Sequence, residues 1–310
     1  MPRSSARRTA ALFLLAALSA APLAGCGGSG PGASGSSGKL DVVAAEDFWG
    51  SIAEQLGGDR VEVTSIVTNP ATDPHDYEPT AEDARTMAGA QLAIVNGIGY
   101  DRWATKLLDA NPNSGRTVLT VGELLGLKDG DNPHQWYSPA SAQKTIERIT
   151  ADYKRADPGH AAYFDRQQRR FETVGLARYH RLIAQIRSRY AGTPVGASES
   201  VFEPLAAALG LKLLTPTGFL DAISEGTDPT PADKATAESQ VAGRQVEIWV
   251  YNSQNATPDV QRLNDAATAA GIPIATVTET VTPEGASFQA WQSRQLEGLE
   301  GALARASGGR

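Results

Sequence analysis

Two kinds of hydrophobic pattern alternate along most of this chain. Short runs rich in Val, Ile and Leu are typical of buried strands, whereas apolar residues that recur every three to four positions indicate helices with one apolar face. The runs predict strands at 40–44, 61–67, 91–95, 117–121, 195–197, 211–214, 246–251 and 272–278. Helical patterns fall between them, which predicts an α/β fold built from βα units around largely parallel sheets.

Several helix starts are marked by a hydroxyl residue followed by proline. Ser138-Pro139, Thr230-Pro231 and Thr257-Pro258 each pair a side chain that can cap a helix with a proline, which the first helical turn tolerates. We expect helices at 47–56, 81–88, 103–110 and 139–156, two more starting at 231 and 258, and a last one at 288–305.

One long helical stretch divides the chain. It starts at Asp157-Pro158 and runs to about Tyr190, and at 1.5 Å per residue it would be on the order of 50 Å long. Because the βα alternation stops before this stretch and restarts after it, we predict two lobes, 39–156 and 192–310, joined by a linking helix at 157–191. A surface helix packed on a single sheet is the alternative.

The first 25 residues have the pattern of a secretory leader. Arg3, Arg7 and Arg8 precede a short apolar segment, which is too short for a spanning helix. Small residues precede Cys26 as in a bacterial lipobox, so we expect Cys26 to be acylated and to anchor the protein at the outer face of the cytoplasmic membrane. Residues 27–38 are a Gly/Ser-rich tether. A conventional cleavage site that merely lies near a cysteine is the alternative.

Composition narrows the class of partner. The chain has 310 residues, of which 41% are hydrophobic and 20% charged, as in an ordinary soluble globular protein. Residues 1–25 carry three arginines and no acids, so their removal changes the formal charge from −7 to −10. This charge disfavours nucleic acid and anionic lipid as binding partners and suits a cation.

Two of the four histidines, His75 and His134, lie in similar settings. Each directly follows a proline, which stiffens the loop around it. Two imidazoles held on stiff loops are what a transition metal needs, although a loop histidine bonded to backbone is the simpler interpretation of either one alone.

Carboxylates that complete such a site are expected at the carboxyl ends of strands, where ligands bind in open α/β sheets. Glu199 and Glu279 each follow a predicted strand directly. Two neutral imidazoles and two carboxylates would balance the charge of a divalent cation. Asp221, Glu225 and Asp228 are rivals for the fourth position, and solvated surface acids are the simpler alternative for all of them.

These motifs together resemble the zinc/manganese family of ABC-transporter solute-binding lipoproteins. The segments that match are Asp73-Pro74-His75-Asp76-Tyr77-Glu78-Pro79-Thr80, Asn132-Pro133-His134-Gln135-Trp136, Ala197-Ser198-Glu199-Ser200-Val201-Phe202 and Thr278-Glu279-Thr280. The resemblance implies two lobes joined by a single rigid helix and a metal site in the cleft between them. It also implies ligands His75, His134, Glu199 and Glu279, and delivery of the metal to an ABC permease by a protein that we expect to be monomeric.

The third ligand position bears on the choice of metal. Zinc members of the family commonly carry histidine there and manganese members glutamate, and this chain has Glu199. The His-rich loop of many zinc members is also absent before the second motif, at 128–131. Carboxylate oxygens suit Mn²⁺, but Zn²⁺ binds the same ligands more tightly at equilibrium. The sequence therefore favours Mn²⁺, with Zn²⁺ close behind.

Four polar residues could support the ligands, and two other functions remain open. Asp76 and Gln135 could orient the imidazoles or be ordinary polar residues of the loops, and Asn252 and Gln254 could contribute hydrogen bonds in the cleft or merely cap the strand before them. A secreted metalloenzyme with a two-His, one-carboxylate site is one alternative, although the chain lacks His-Glu-x-x-His and Gly-x-Ser-x-Gly motifs. An adhesin-like surface lipoprotein with a structural metal is the other.

Overall fold

A computed structural model describes residues 38–75 and 77–308 of the chain. The predicted leader, the predicted lipidation site Cys26 and the supporting residue Asp76 lie outside these residues. Within the described part, no helix combines the length and hydrophobicity that crossing a bilayer requires.

The first lobe contains a parallel four-stranded sheet in the order β2-β1-β3-β4. Its strands are β1 (Leu40–Glu46), β2 (Val61–Val67), β3 (Leu92–Val95) and β4 (Thr117–Thr120). Strand β1 lies between β2 and β3, and Val42 pairs with Val63 on one side and Leu92 on the other. Helices cover both faces, so β3 is buried along its whole length.

The second lobe repeats this arrangement in the order β6-β5-β7-β8, again with parallel pairing throughout. Its strands are β5 (Pro194–Ala197), β6 (Lys212–Leu213), β7 (Ile248–Asn252) and β8 (Ile274–Val277). In both lobes the strand order reverses beside the first strand, and such a switch point leaves a crevice at the carboxyl ends of the strands. The predicted fold class, two βα lobes with largely parallel sheets, is confirmed.

Twelve α-helices complete the described part of the chain. They are α1 (Asp47–Gly57), α2 (Ala81–Gly89), α3 (Arg102–Ala110), α4 (Val121–Leu125), α5 (Pro139–Ala156), α6 (Ala161–Arg170), α7 (Ala177–Tyr190), α8 (Glu203–Leu209), α9 (Thr217–Ser224), α10 (Pro231–Ala242), α11 (Pro258–Ala269) and α12 (Phe288–Gly308). The hydroxyl groups of Ser138, Thr230 and Thr257 accept backbone N–H bonds at the starts of α5, α10 and α11, as the cap-and-proline pattern predicts.

Some element boundaries differ from the sequence predictions. Val121 is the first residue of α4 rather than the last of a strand, because the chain turns there and the Gly122 N–H bonds to the Asn96 carbonyl. Only Lys212 and Leu213 of the run 211–214 pair, since β6 is an edge strand with a single neighbour. Helices α8 and α9 were not predicted.

The segment between the lobes is helical but not one uniform α-helix. A short 3₁₀ turn at Pro158–His160 leads into α6, and a π-helical turn at Phe171–Gly175 separates α6 from α7. Gly175 closes this turn, where a Cβ would lie only 3.0 Å from the Phe171 ring. The wider turn shifts the register of the apolar face, and Phe171, Leu176 and Tyr179 all remain buried.

The two lobes pack directly on each other near the carboxyl ends of both sheets. The Tyr137 hydroxyl from the first lobe lies 2.7 Å from both the Thr278 carbonyl oxygen and Gln295 Oε1, and these two acceptors share its single hydrogen. The Phe288 N–H at the start of α12 donates to Ser51 Oγ on α1 at 2.9 Å. The residues on this shared boundary are therefore fixed by contacts from both sides.

Candidate metal centre

His134 is the most deeply buried of the predicted ligands. It lies in the loop before α5, and its side chain is completely inaccessible to solvent. Asn132 Oδ1 accepts both the His134 backbone N–H, at 2.9 Å, and the ring Nδ1, at 3.0 Å. Because Asn132 Nδ2 donates to the Ser200 carbonyl and to a carboxylate oxygen of Glu203, the amide oxygen must face His134.

This contact decides which ring nitrogen of His134 is available to a metal. An amide oxygen only accepts, so Nδ1 carries the proton and Nε2 presents its lone pair. Nε2 is buried and has no hydrogen-bond partner. A buried lone pair without a donor is costly, and a cation would satisfy it.

His75 lies on the loop between β2 and α2, which starts at Thr68 and ends at Thr80. Asp73 Oδ1 accepts the His75 backbone N–H at 2.9 Å, a local turn that sets the direction of the residue. The imidazole packs against the edge of Tyr100, with ring centroids 4.5 Å apart, and its centroid lies 6.1 Å from that of His134. About a quarter of the side chain, 23%, remains exposed.

Glu279 brings a carboxylate from the second lobe to both imidazoles. Its Oε2 lies 3.8 Å from His75 Nε2 and 3.7 Å from His134 Nε2. The potential ligand atoms of these three residues all lie within 4.8 Å of one another. The structure thus brings together three of the four predicted ligands, from opposite lobes.

Glu199, the fourth predicted ligand, is fully buried beside this group but not within it. Its Oε2 accepts a hydrogen bond from Asn255 Nδ2 at 3.1 Å, while Oε1 is buried without a hydrogen-bond partner. Glu199 is close enough to Glu279 for the negative charge of Glu279 to disfavour ionisation of Glu199. Oε1 of Glu199 is therefore available to coordinate a cation that binds beside Glu279.

The rival acids lie farther out. Asp221, Glu225 and Asp228 are exposed and do not belong to the three-residue group. Asp221 and Glu225 line a cleft of about 400 Å³ together with His75 and Asp131, and this cleft leads from solvent to the site. These acids therefore fit an entrance for a cation better than a coordinating shell.

Tyr100 is a site residue that the sequence patterns did not indicate. Its hydroxyl donates to Glu279 Oε2 at 3.2 Å, and the whole residue is buried. A turn at Gly97-Ile98-Gly99 places it there, with positive φ at all three residues, including 59° at the β-branched Ile98. Such a conformation is unfavourable by about 1–3 kcal/mol and is found mainly where function demands it. The two flanking glycines are the only sequence signal.

Three amide side chains at the end of β7 and just after it hold the two carboxylates and the backbone of Glu279. Asn252 Nδ2 donates to Glu279 Oε1 at 3.0 Å, and Asn255 donates to Glu199. Gln254 accepts from the Glu279 N–H at 2.6 Å. Asn252 and Gln254 thus make the cleft hydrogen bonds predicted for them, whereas Asn255 was not predicted.

Gln135 does not touch the His134 ring, contrary to the orienting role predicted for it. Its Nε2 donates to the Asn132 carbonyl at 2.8 Å, and its Oε1 accepts from Ser141 Oγ at 2.8 Å. It therefore holds the backbone of the loop, and the orienting contact comes from Asn132. The position of Asn132 two residues before the histidine allows its side chain to bond the histidine N–H and ring together.

The two carboxyls have opposite electrostatic settings. Burial, together with the nearby charge of Glu279, raises the pKa of Glu199 well above its usual range. Burial would also raise the pKa of Glu279, but the contacts with His134, His75 and the Tyr100 hydroxyl lower it below the ordinary value. The two pKa shifts have opposite directions, so Glu199 holds its proton up to a higher pH than Glu279 does. A divalent cation would displace that proton and gain a second carboxylate.

A comparison with known proteins agrees with this geometry. The family model described as "Zinc-uptake complex component A periplasmic" matches residues 42–302. The iron-binding protein YfeA of Yersinia pestis is 31% identical over 185 residues, which cover 56% of this chain and 58% of that protein. The manganese-binding lipoprotein MntA of Halalkalibacterium halodurans is 31% identical over 144 residues, which cover 46% of this chain and 48% of that protein. This chain thus spans about half the length of each of these two relatives.

A solved structure supports the same fold. The Mn-bound periplasmic metal-binding protein from Candidatus Liberibacter asiaticus superposes with a TM-score of 0.71, covering 86% of this chain and 100% of that one, at 21% identity. At that identity the likeness concerns the fold alone.

The match over residues 42–302 covers most of the chain and includes both α/β lobes. This chain belongs to the family of the zinc-uptake complex component A. The family consists of solute-binding proteins rather than enzymes, which argues against the metalloenzyme alternative. The names of the family and of these relatives include zinc, iron and manganese, so membership of the family alone does not fix the metal.

Proposed function

We propose that this chain is the extracytoplasmic solute-binding component of an ABC importer that captures a divalent transition metal, with Mn²⁺ favoured and Zn²⁺ close. The observation that carries the proposal is the buried Nε2 of His134, oriented by Asn132 and facing the Glu279 carboxylate of the opposite lobe. His75 and His134 supply nitrogen, and Glu199 and Glu279 supply oxygen. This set balances a 2+ charge with ligands from both halves of the chain.

The metal preference rests on the kinds of ligand atom. Two carboxylates beside two imidazoles suit Mn²⁺, which prefers oxygen, better than a site with a third imidazole would. The same ligands bind Zn²⁺ more strongly at equilibrium. Preference for Mn²⁺ therefore depends on whether the site allows a coordination number above four, and on which metals are available outside the cell.

The division of the ligands between lobes gives the capture mechanism. The first lobe (39–156) holds both imidazoles, the second (192–310) holds both carboxylates, and residues 157–191 connect them. A cation that binds all four ligands favours the closed arrangement of the lobes, because only that arrangement completes its shell. A permease that recognises the closed arrangement would then receive loaded protein, and acylated Cys26 would keep the carrier beside it at the membrane.

The test is a competitive titration of the chain starting after Cys26, stripped with chelator and then supplied with Mn²⁺ or Zn²⁺. We expect one metal per chain, bound reversibly, and elemental analysis of the purified protein should find the physiological ion. Failure to bind either ion would contradict the proposal. Tight Zn²⁺ with weak Mn²⁺ would retain the transport function and reverse the metal preference.

The stripped protein should remain folded, which separates a carrier from a protein with a structural metal. At a free metal concentration one hundred times Kd, binding adds about 2.7 kcal/mol to the free energy of unfolding. For a chain of this size that corresponds to a rise in Tm on the order of 5 °C. Circular dichroism of the stripped protein measures this, and loss of helical signal on chelation would indicate a structural metal instead.

A further inference from the structure

The carboxamide of Gln254, in the loop after β7, makes four hydrogen bonds that join three segments of the chain. Its Nε2 donates to the Pro70 carbonyl and, at 2.5 Å, to Thr280 Oγ1. Its Oε1 accepts the backbone N–H groups of Glu279, at 2.6 Å, and of Thr280, at 3.2 Å. We call this group of contacts the Gln254 clasp.

The orientation of this amide is fixed by its partners. Backbone N–H groups can only donate, so the amide oxygen must face Glu279 and Thr280, and the carbonyl of Pro70 requires the amide nitrogen. A carboxamide offers two donor hydrogens and two acceptor lone pairs, and the Gln254 clasp uses all of them. No other natural side chain of this length supplies the same set.

The partners of the clasp belong to opposite sides of the proposed metal site. Pro70 lies in the first-lobe loop that carries His75, and Glu279 is the carboxylate ligand of the second lobe. Pro70, Gln254 and Glu279 also line a small cavity of about 60 Å³ beside the site. The clasp thus closes this side of the site and ties the loop that carries one ligand to the backbone of another.

We propose that Gln254 is a positioning residue that sets how long the metal is retained, by holding the His75 loop against Glu279. The proposal rests on the proposed function, since it assigns the clasp to the same metal site. Its neighbours Asn252 and Asn255 hold the carboxylates within the second lobe, whereas Gln254 also reaches the first lobe. Opening the clasp lets the His75 loop move away from Glu279 and speeds the loss of the metal.

The test compares metal release from the chain starting after Cys26 with release from its Gln254→Met variant, which keeps the length of the side chain and removes every hydrogen bond. Protein loaded with Mn²⁺ or Zn²⁺ is mixed rapidly with excess EDTA, and tryptophan fluorescence follows release, because the Trp136 ring centroid lies 5.3 Å from that of His134. We expect release about five- to tenfold faster, with the association rate changed by less than about twofold. Because the N–H groups of the buried residues Glu279 and Thr280 lose their acceptor, the Tm of the stripped variant should fall by a few degrees while its fold is kept.

Two further variants make the test specific. Gln240→Met also removes a glutamine that donates to a carbonyl, that of Leu214 at 2.7 Å, but within the second lobe, so its release rate should match the unchanged protein. Gln254→Glu keeps an oxygen that can accept the N–H groups of Glu279 and Thr280, and it loses the Nε2 donor to Pro70 and to Thr280 Oγ1. Its added negative charge by itself would slow the release of a cation, whereas loss of the clasp speeds it.

Three results would overturn the inference. If Gln254→Met releases the metal as slowly as the wild-type protein and Gln240→Met do, Gln254 has no role in retention. If Gln254→Glu releases the metal more slowly than the wild-type protein, charge rather than the clasp governs retention. A lowered Tm of stripped Gln254→Met with unchanged release would make the residue merely structural. If the unchanged protein binds neither metal, the proposed function fails first and the clasp with it.

Discussion

The His75→Ala variant should bind its metal about a hundred- to a thousandfold more weakly than the unchanged protein while keeping its fold. Structural zinc sites with four protein ligands are worth about 10–16 kcal/mol, or roughly 2.5–4 kcal/mol for each ligand, and about 1.4 kcal/mol is a factor of ten in Kd. His75 lies on a loop, and 23% of its side chain is exposed, so its removal leaves no large cavity in the core.

The matched control for this variant is His180→Ala. His180 is exposed on α7, on the segment that connects the lobes, and the change removes the same side chain from elsewhere in the molecule. In a competitive titration, His180→Ala should bind the metal with the affinity of the wild-type protein, whereas His75→Ala should bind it much more weakly. Unchanged affinity in His75→Ala would remove His75 from the ligand set.

The second large effect concerns the proton held by Glu199. Because burial and the charge of Glu279 raise the pKa of Glu199 well above its usual range, the metal-free protein carries this proton at a pH where ordinary glutamates are ionised. Metal binding must release it. The contribution of Glu199 to the metal affinity should therefore increase with pH up to the raised pKa of Glu199 and level off above it.

Glu199→Gln removes both the charge and the proton. We expect its affinity to fall about a hundredfold or more, and metal uptake should release one proton fewer than in the unchanged protein. Calorimetric titration in buffers that differ in ionisation enthalpy measures the number of protons released. The control is Glu225→Gln, which changes an exposed acid of the entrance cleft and should leave both the affinity and the proton count as they are.

A Glu199→Gln protein that releases as many protons as the unchanged one would contradict the assignment of the proton to Glu199. Affinity that did not change between pH 7.5 and 5.5 in the unchanged protein would contradict proton competition altogether. Protons also compete for the imidazole nitrogens, so the unchanged protein has more than one source of pH dependence, and only the difference between the two proteins isolates Glu199.

Much of the fold follows from local patterns, because each pattern has a local physical cause. The capping hydroxyls of Ser138, Thr230 and Thr257 lie beside prolines that cannot continue a preceding helix, so those helix starts are visible in the sequence. The strands are apolar because helices cover both faces of each sheet. Glu199 and Glu279 could be singled out as candidates because a parallel sheet presents ligands at the carboxyl ends of its strands.

The parts that escaped prediction depend on contacts between distant segments or on backbone conformations without a clear residue signal. The left-handed φ of Ile98 places Tyr100 on Glu279, yet isoleucine rarely adopts that conformation and gives no hint of it. Asn132 was part of a recognised motif, but its role depends on Ser200 and Glu203, which fix its amide from the other lobe. The π-helical turn at Phe171–Gly175 shifts the apolar face by about one residue, and a pattern with spacings of three to four residues does not reveal so small a shift.

The central claim is that one metal ion binds between the lobes through His75, His134, Glu199 and Glu279. It is tested most directly by crystals of the metal-loaded chain, starting after Cys26, with diffraction recorded on both sides of the absorption edge of the bound metal. The account predicts one anomalous peak per chain, with the two imidazole nitrogens and at least one oxygen of each carboxylate within about 2.0–2.3 Å. A peak bound by residues of one lobe only, or a peak elsewhere with these four residues bare, would contradict it.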